Sequence, residues 1–173
     1  MEELHHEPVL VEEVVSNLVN EKTEIFVDAT LGLGGHSEEA LRRYKGLRVI
    51  GIDVDEEEMK IANERLKQFR ERLTIVRGNY RYLDKIIRDL GIDKVDAVLF
   101  DLGISSYQLN SKRGFSFFED EFLDMRMDKS QTLTAYHVVN KYPFKRLRDV
   151  IGRYGEEKEA FRVARAIVTY RKA

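Results

Sequence analysis

Residues 25–53, IFVDATLGLGGHSEEALRRYKGLRVIGID, decide the fold. A short apolar run, Ile25 to Thr30, leads into a glycine-bearing loop, and a second apolar run, Arg48 to Asp53, follows about 20 residues later. Apolar runs of this length, bounded by turn residues, are typical of buried strands. Between them, the segment from Ser37 predicts a helix capped by Ser37, with Glu38 and Glu39 in its first turn. The stretch therefore predicts a strand, a helix and a second, parallel strand.

The same alternation continues on both sides of this stretch. A helix with apolar residues at helical spacing is predicted over 9–19, and further helices over 56–69 and 82–90. Further strands are predicted over 73–77 and 95–100. Alternating strands and helices imply parallel strands joined by right-handed crossovers, with helices on both faces. The predicted fold is an α/β, Rossmann-like, doubly wound parallel sheet. After Asp101 the pattern changes to an aromatic-rich loop over 103–128 and helices over 133–140, 145–151 and 156–170.

Composition excludes several classes of protein. The 173 residues are 43% hydrophobic and 35% charged, which is typical of one globular domain. The 29 basic and 31 acidic residues nearly cancel, so a surface for nucleic acid has to be a local patch. Without cysteine there is neither a disulfide nor a thiolate zinc site. No signal peptide or membrane span is recognised, so we expect a cytoplasmic protein with no membrane partner.

Unusual residues follow all four predicted strands. In an open parallel sheet, ligands bind beyond the carboxyl ends of the strands. The glycines of LGLGGHS follow the first strand, and Asp53, 21 residues after Gly32, ends the second, where a carboxylate can hold a ribose. Tyr80 follows the third strand, where its ring can lie against a base, and Asp101 follows the fourth. Each residue alone is as well explained as a turn, a helix cap or a core side chain; their occurrence at four successive strand ends favours a ligand site.

The glycine loop excludes two neighbouring kinds of cofactor site. GLGGHS lacks the Lys-Ser/Thr ending of a P-loop, and its glycine spacing departs from the G-x-G-x-x-G that binds a pyrophosphate. A cofactor with adenosine and no phosphates fits the loop better.

Several short segments of the chain are distinctive: DATLGLGGHS (28–37), GIDVD (51–55), GNY (78–80), DLGISSYQLN (101–110), RGFSF (113–117) and LDMRMD (123–128), besides HEPVL (6–10) and YGEE (154–157). Through these segments the sequence resembles the bacterial family that methylates the N4 amino group of a cytidine in small-subunit (16S) ribosomal RNA. The resemblance implies S-adenosylmethionine as cofactor and 16S rRNA or the small ribosomal subunit as partner. The cofactor-binding residues that it implies are Gly34, Gly35, His36, Asp53 (ribose), Tyr80 (adenine), Asp101 and Gln108. Tyr80 stands where the family usually has Phe, Tyr107 replaces a usual Pro and Asn110 a usual Asp.

Members of that family are longer, and continue into a helical region before returning to the sheet. We therefore expect residues 1–110 to be the front half of the cofactor-binding domain, and residues 111–173 to be an incomplete helical insertion that recognises substrate. A truncated or non-catalytic relative, which keeps cofactor binding or only the fold, is the alternative. The fourth strand would have an unpaired edge, which a homodimer could cover.

Asp101 and Ser105 are the candidate catalytic residues. Asp101 could accept a hydrogen from the cytosine amine while Ser105 and Ser106 shape the loop around the base; equally, Asp101 could contact only the methionine part of the cofactor. For RNA contacts the candidates are Arg113, Phe115, Phe117, Arg126 and Lys129, although the phenylalanines could instead anchor the insertion. His6, His36 and the aspartates lack a metal-ligand spacing, so no metal is predicted.

Overall fold

The computed structural model describes residues 8–171, and its strands form one parallel four-stranded sheet. The strands are β1 (Ile25–Asp28), β2 (Arg48–Asp53), β3 (Leu73–Arg77) and β4 (Ala97–Leu99). Their order across the sheet is β3-β2-β1-β4, so β1 is central, with Val27 opposite both Ile50 of β2 and Val98 of β4. The predicted α/β fold with a parallel sheet is confirmed.

Helices cover both faces of this sheet because successive strand residues point to opposite sides. Phe26 of β1 packs on one side with Val15 of helix α1 (Val11–Leu18) and Leu41 of helix α2 (Gly35–Arg43). Val27, the next residue, packs on the other side with Ile87 of helix α4 (Leu83–Asp89). Helix α3 (Glu56–Arg65) contributes Ala62 to a smaller cluster around Leu66. The doubly wound arrangement follows directly.

Asp96 fixes the start of β4 against the start of β1. Its carboxylate accepts hydrogen bonds from the backbone N–H groups of Glu24 and Ile25, both at 2.9 Å. These two bonds, with a smaller opposing effect of burial, hold the pKa of Asp96 below its ordinary value. The bonds add side-chain links to the β1–β4 pairing.

The start of α2 differs from the prediction. The helix begins at Gly35, with Gly34 as its N-cap at φ 82°, so the predicted cap at Ser37 is wrong. The Ser37 hydroxyl instead donates to Asp28 Oδ2 at 2.7 Å in the buried interior. A buried carboxylate needs a donor, and Ser37, in the first turn of the helix, supplies one.

The described residues form two compact units, divided between Tyr107 and Gln108. The second contains helices α6 (Ala135–Lys141), α7 (Phe144–Tyr154) and α8 (Ala160–Tyr170), while a short helix α5 (Ser106–Leu109) crosses the boundary between the units. Leu147 of α7, Ala164 of α8 and Tyr142 form its core. Arg171, just after α8, donates to the carbonyls of Val139 and Tyr142, which fixes the end of α8 to α6. Between residues 8 and 171, every helix is too short or too polar to span a membrane.

Candidate functional site

The candidate site lies where the strand order reverses. The chain runs from β1 outward to β2 and β3, then crosses back so that β4 pairs on the other side of β1. At such a switch point the loops after two adjacent strands diverge and leave a crevice. The loops after β1 and β4 begin at Ala29 and Phe100, and those after β2 and β3 open on the same edge of the sheet.

The glycines of the first loop have different roles. At Gly34 an added Cβ would lie 2.7 Å from Leu66 Cδ1, and at Gly35 it would lie 2.5 Å from Pro8 Cγ. Glycine is therefore required at both positions, because neighbouring protein atoms occupy the place of a side chain. At Gly32, where φ is 50°, an added Cβ would meet only the Thr30 carbonyl oxygen at 3.9 Å, so the space beside its Cα is open to a ligand.

His36 is a buried residue of α2. Its Nε2 lies 3.0 Å from the backbone carbonyl oxygen of Val9, so this ring nitrogen engages the segment before α1. The matching HEPVL segment thus lies against the glycine loop at Pro8 and Val9, while its first residue, His6, falls outside the described residues.

Asp28 at the end of β1 is a buried carboxyl to which sequence reasoning gave no role. Burial raises its pKa from 3.8 to about 6, and the hydrogen bond from Ser37 opposes that rise. The apolar residues on either side, Val27 and Ala29, gave the only sequence signal of this environment.

Asp53 at the end of β2 connects two loops. Its Oδ2 accepts from the Gly32 N–H at 2.7 Å, and its Oδ1 accepts from the N–H groups of Val54 and Asp55 at 2.7 and 2.9 Å. A carboxylate has about four acceptor positions, so about one remains for an incoming hydroxyl. The carboxylate is held rigidly at the predicted position.

Tyr80 and Phe100 form an exposed aromatic pair at the ends of β3 and β4. Their ring centroids lie 5.6 Å apart and the planes meet at 82°, an edge-to-face contact. The two residues are 44% and 46% exposed, so ring surface is available for stacking. Phe100 was not singled out because it reads as the last apolar residue of a strand.

The loop after β4 is attached at two points. The Asp101 N–H donates to the Thr30 hydroxyl at 2.8 Å, which connects this loop to the one after β1. The Ser105 hydroxyl donates to the carboxylate of Glu58, a buried residue of α3. Asp101 is exposed, whereas the Ser105 hydroxyl is directed to Glu58.

The remaining candidates lie in the second unit. Gln108 is buried, and its backbone carbonyl oxygen accepts hydrogen bonds from the N–H and the hydroxyl of Ser111. Arg113 and Phe115 are also buried, with the guanidinium 5.5 Å from the ring centroid, which contradicts their expected role in contacting RNA.

Arg126 donates to Asp124 and to the carbonyls of Lys129 and Gln131, so it organises its own loop. Phe117, by contrast, is 97% exposed.

Among residues 8–171, no group of three or more His, Asp or Glu side chains is arranged to hold a metal ion.

Comparisons of the sequence with a family model and with individual known proteins identify the same family. A sequence model of the MraW methylase family matches residues 3–173. The chain is 47% identical over 169 residues to ribosomal RNA small subunit methyltransferase H of Sulfurihydrogenibium sp. (strain YO3AOP1), covering 98% of this chain and 58% of that protein. It is 48% identical over 172 residues to the protein of the same name from Lachnospira eligens, covering 98% and 55%. The chain thus spans less than two thirds of these relatives. An rRNA methylase structure from Streptococcus thermophilus superposes with a TM-score of 0.42 and 25% identity, covering 53% of this chain and 51% of that one.

Proposed function

The chain belongs to the MraW methylase family, and from this premise we propose that it transfers a methyl group from S-adenosylmethionine to the N4 amino group of a cytidine in 16S ribosomal RNA. The small ribosomal subunit in the cytoplasm is the proposed partner. The observation that supports the proposal most is the open switch point, at which Gly32, Asp53, Tyr80 and Asp101 follow four adjacent strands.

The residues at this edge fit an adenosine-containing cation. The exposed Tyr80 ring offers a face for adenine, and Asp53 Oδ2 has room for one ribose hydroxyl beside the open space at Gly32. Carboxyl groups end two of the strands, at Asp28 and Asp53, and would favour a positive charge. When bound, S-adenosylmethionine supplies an electrophilic methyl group on a positively charged sulfur.

Methyl transfer to an exocyclic amine requires mainly that the nitrogen be aimed at the methyl group. Asp101 is exposed and held through its backbone by Thr30, so its carboxylate can accept a hydrogen bond from the amine and orient the nitrogen. As the N–CH3 bond forms and the S–CH3 bond breaks, releasing the neutral thioether S-adenosylhomocysteine, the same carboxylate can take the proton that the nitrogen loses. Ser105 acts indirectly, because its hydroxyl is directed to Glu58 and fixes the loop. The target base must be unstacked to enter. We assign these steps to residues 1–110 and RNA recognition to residues 111–173.

The first test is a calorimetric titration of the chain with S-adenosylmethionine, followed by transfer of radiolabelled methyl to small ribosomal subunits. We expect saturable binding and labelled RNA. Asp101→Ala should abolish labelling and leave cofactor affinity unchanged. An equal loss of both would contradict the role of Asp101, and absence of binding by the unaltered chain would contradict the proposed function.

A further inference from the structure

Charge is distributed unequally between the two units. Residues 108–173 contain 14 basic and 9 acidic residues, a net charge of +5, whereas residues 1–107 contain 15 basic and 22 acidic, a net charge of −7. The net charge of the whole chain is near zero because the basic second unit is offset by the acidic first unit. A local positive region of this kind is the electrostatic requirement for a polyanion surface.

Several cations of the second unit have no acidic partner. Arg148 pairs with Asp149 at 2.6 Å and Arg162 with Glu159 at 3.3 Å. The other exposed cations of the helices and of the turn between α7 and α8 form no ion pair with any residue that the structure describes: Lys141, Lys145, Arg146, Arg153, Lys158 and Arg165. Arg146 lies over the Tyr142 ring, 3.9 Å from its centroid, whereas the other five can bind phosphates without first breaking an internal contact.

The helical period places these cations on the outer surface of α7 and α8. Leu147 and Ala164 are the buried reference positions of the two helices. Lys145 and Arg153 are separated from Leu147 by about 160° and 240° around α7, and Arg165 lies about 100° from Ala164 around α8. Tyr154, the last residue of α7, is 84% exposed but lies about 20° from Leu147 around the helix, so its ring does not share the outer side with Lys145. Exposed cations on the outer side of the helices suit the phosphates of a polyanion.

We propose that the outer surface of α7 and α8 binds RNA, with Lys145, Arg153 and Arg165 contacting phosphates. The choice of RNA as the polyanion rests on the proposed function. The surface replaces the loop that contains Arg113 and Arg126 as the principal RNA contact, because the donors of those two arginines are already used within the unit.

The test uses the whole chain and a fluorescent single-stranded RNA oligonucleotide, with anisotropy measured over a range of salt concentrations. The triple variant Lys145→Gln, Arg153→Gln, Arg165→Gln should bind about tenfold more weakly at moderate salt, and the slope of log affinity against log salt should fall by about 2. The matched control is Lys22→Gln, Lys45→Gln, Lys85→Gln, which removes three exposed cations from the first unit. It should keep the affinity and slope of the unaltered chain.

An equal loss in both triple variants, no loss in the α7–α8 variant, or competition by polyglutamate as strong per charge as by RNA would overturn the inference. Cofactor titration and methyl transfer are measured in parallel. A chain that binds RNA through this surface but never binds S-adenosylmethionine would refute the proposed function alone. Methyl transfer with undiminished RNA affinity in the α7–α8 variant would refute this inference alone.

Discussion

The Ser105 hydroxyl donates a hydrogen bond to the buried carboxylate of Glu58, and this bond joins the loop after β4 to helix α3. Asp101 lies at the start of the same loop. Glu58 therefore helps to position a candidate catalytic residue without itself lying on the exposed surface of the site.

Removing the Glu58 carboxylate, which accepts the hydrogen bond from Ser105, should make the loop after β4 more mobile. Glu58→Ala is expected to lower the rate constant kcat of methyl transfer about tenfold, since a hydrogen bond to a charged group contributes about 1.5–3 kcal/mol. Glu58→Gln keeps an acceptor oxygen and should restore most of the rate. Hydrogen exchange of residues 101–106 should accelerate only in the alanine variant. Equal behaviour of the two variants would argue against a positioning role.

The aromatic pair predicts a specific loss of cofactor affinity. Tyr80→Leu removes the stacking ring and should weaken S-adenosylmethionine binding about tenfold or more, because stacking on a base contributes about 1–3 kcal/mol. Tyr80→Phe keeps the ring and should bind within about twofold of the unaltered chain. Tyr82→Leu, an exposed tyrosine in the same helical turn, is the control. Calorimetry distinguishes the three, and an equal loss in Tyr82→Leu would exclude a particular role for Tyr80.

The buried carboxyl of Asp28 should give stability a measurable pH dependence. Its pKa of about 6 in the folded chain exceeds its ordinary value of 3.8 because of burial, so the folded chain binds this proton more tightly than the unfolded chain. The tighter binding of this proton stabilises the folded chain by up to about 3 kcal/mol. The stabilisation is present in full below about pH 4 and is lost as the pH rises to about 6. Asp28→Asn cannot titrate.

The free energy of unfolding is measured by urea denaturation of both chains from pH 4 to pH 7. The value for the unaltered chain minus that for Asp28→Asn should fall across this range. Subtraction removes the opposite effect of carboxylates such as Asp96, whose pKa is lowered. A constant difference would show that Asp28 does not titrate in this window.

Two glycine-to-alanine changes should have contrasting effects. At Gly34, φ is 82° and an added Cβ would lie 2.7 Å from Leu66, so Gly34→Ala should destabilise the fold by about 2–4 kcal/mol. At Gly46 an added Cβ meets nothing within 4 Å, so Gly46→Ala should change stability by less than about 1 kcal/mol. Thermal unfolding followed by circular dichroism compares them. Similar transition midpoints would contradict this account of the glycine loop.

The sequence predicted β2 and β3 at their observed limits because each is an apolar run with polar residues beyond it. It missed the start of α2, since Ser37 before two glutamates is typical of an N-cap while the buried Asp28 that engages it lies nine residues away. Glu58 could not be distinguished from Glu56 and Glu57 by local pattern. Only the packing of α3 against the loop after β4 gives it a separate role.

Loop cations misled the prediction for a physical reason. A segment without regular secondary structure has carbonyl groups that no ladder satisfies, and nearby arginines supply donors to them. Arg126 donates to the carbonyls of Lys129 and Gln131, and Arg113 donates to the carbonyl of Arg126. Arginine and lysine side chains on the helical surface are not needed as donors to backbone carbonyls, because the carbonyls within a helix are already paired.

The strand order also determines when the site can form. β1, β2 and β3 follow one another along the chain, but the pairing of β1 with β4 joins segments 71 residues apart, as the bond from Ile25 to Asp96 does. Closing so long a loop costs more entropy than the shorter crossovers, so we expect this pairing to come late in folding. During synthesis, a three-stranded intermediate would emerge first without the crevice. A cofactor could then associate only with chains that had completed the sheet, and its binding would shift the folding equilibrium toward them.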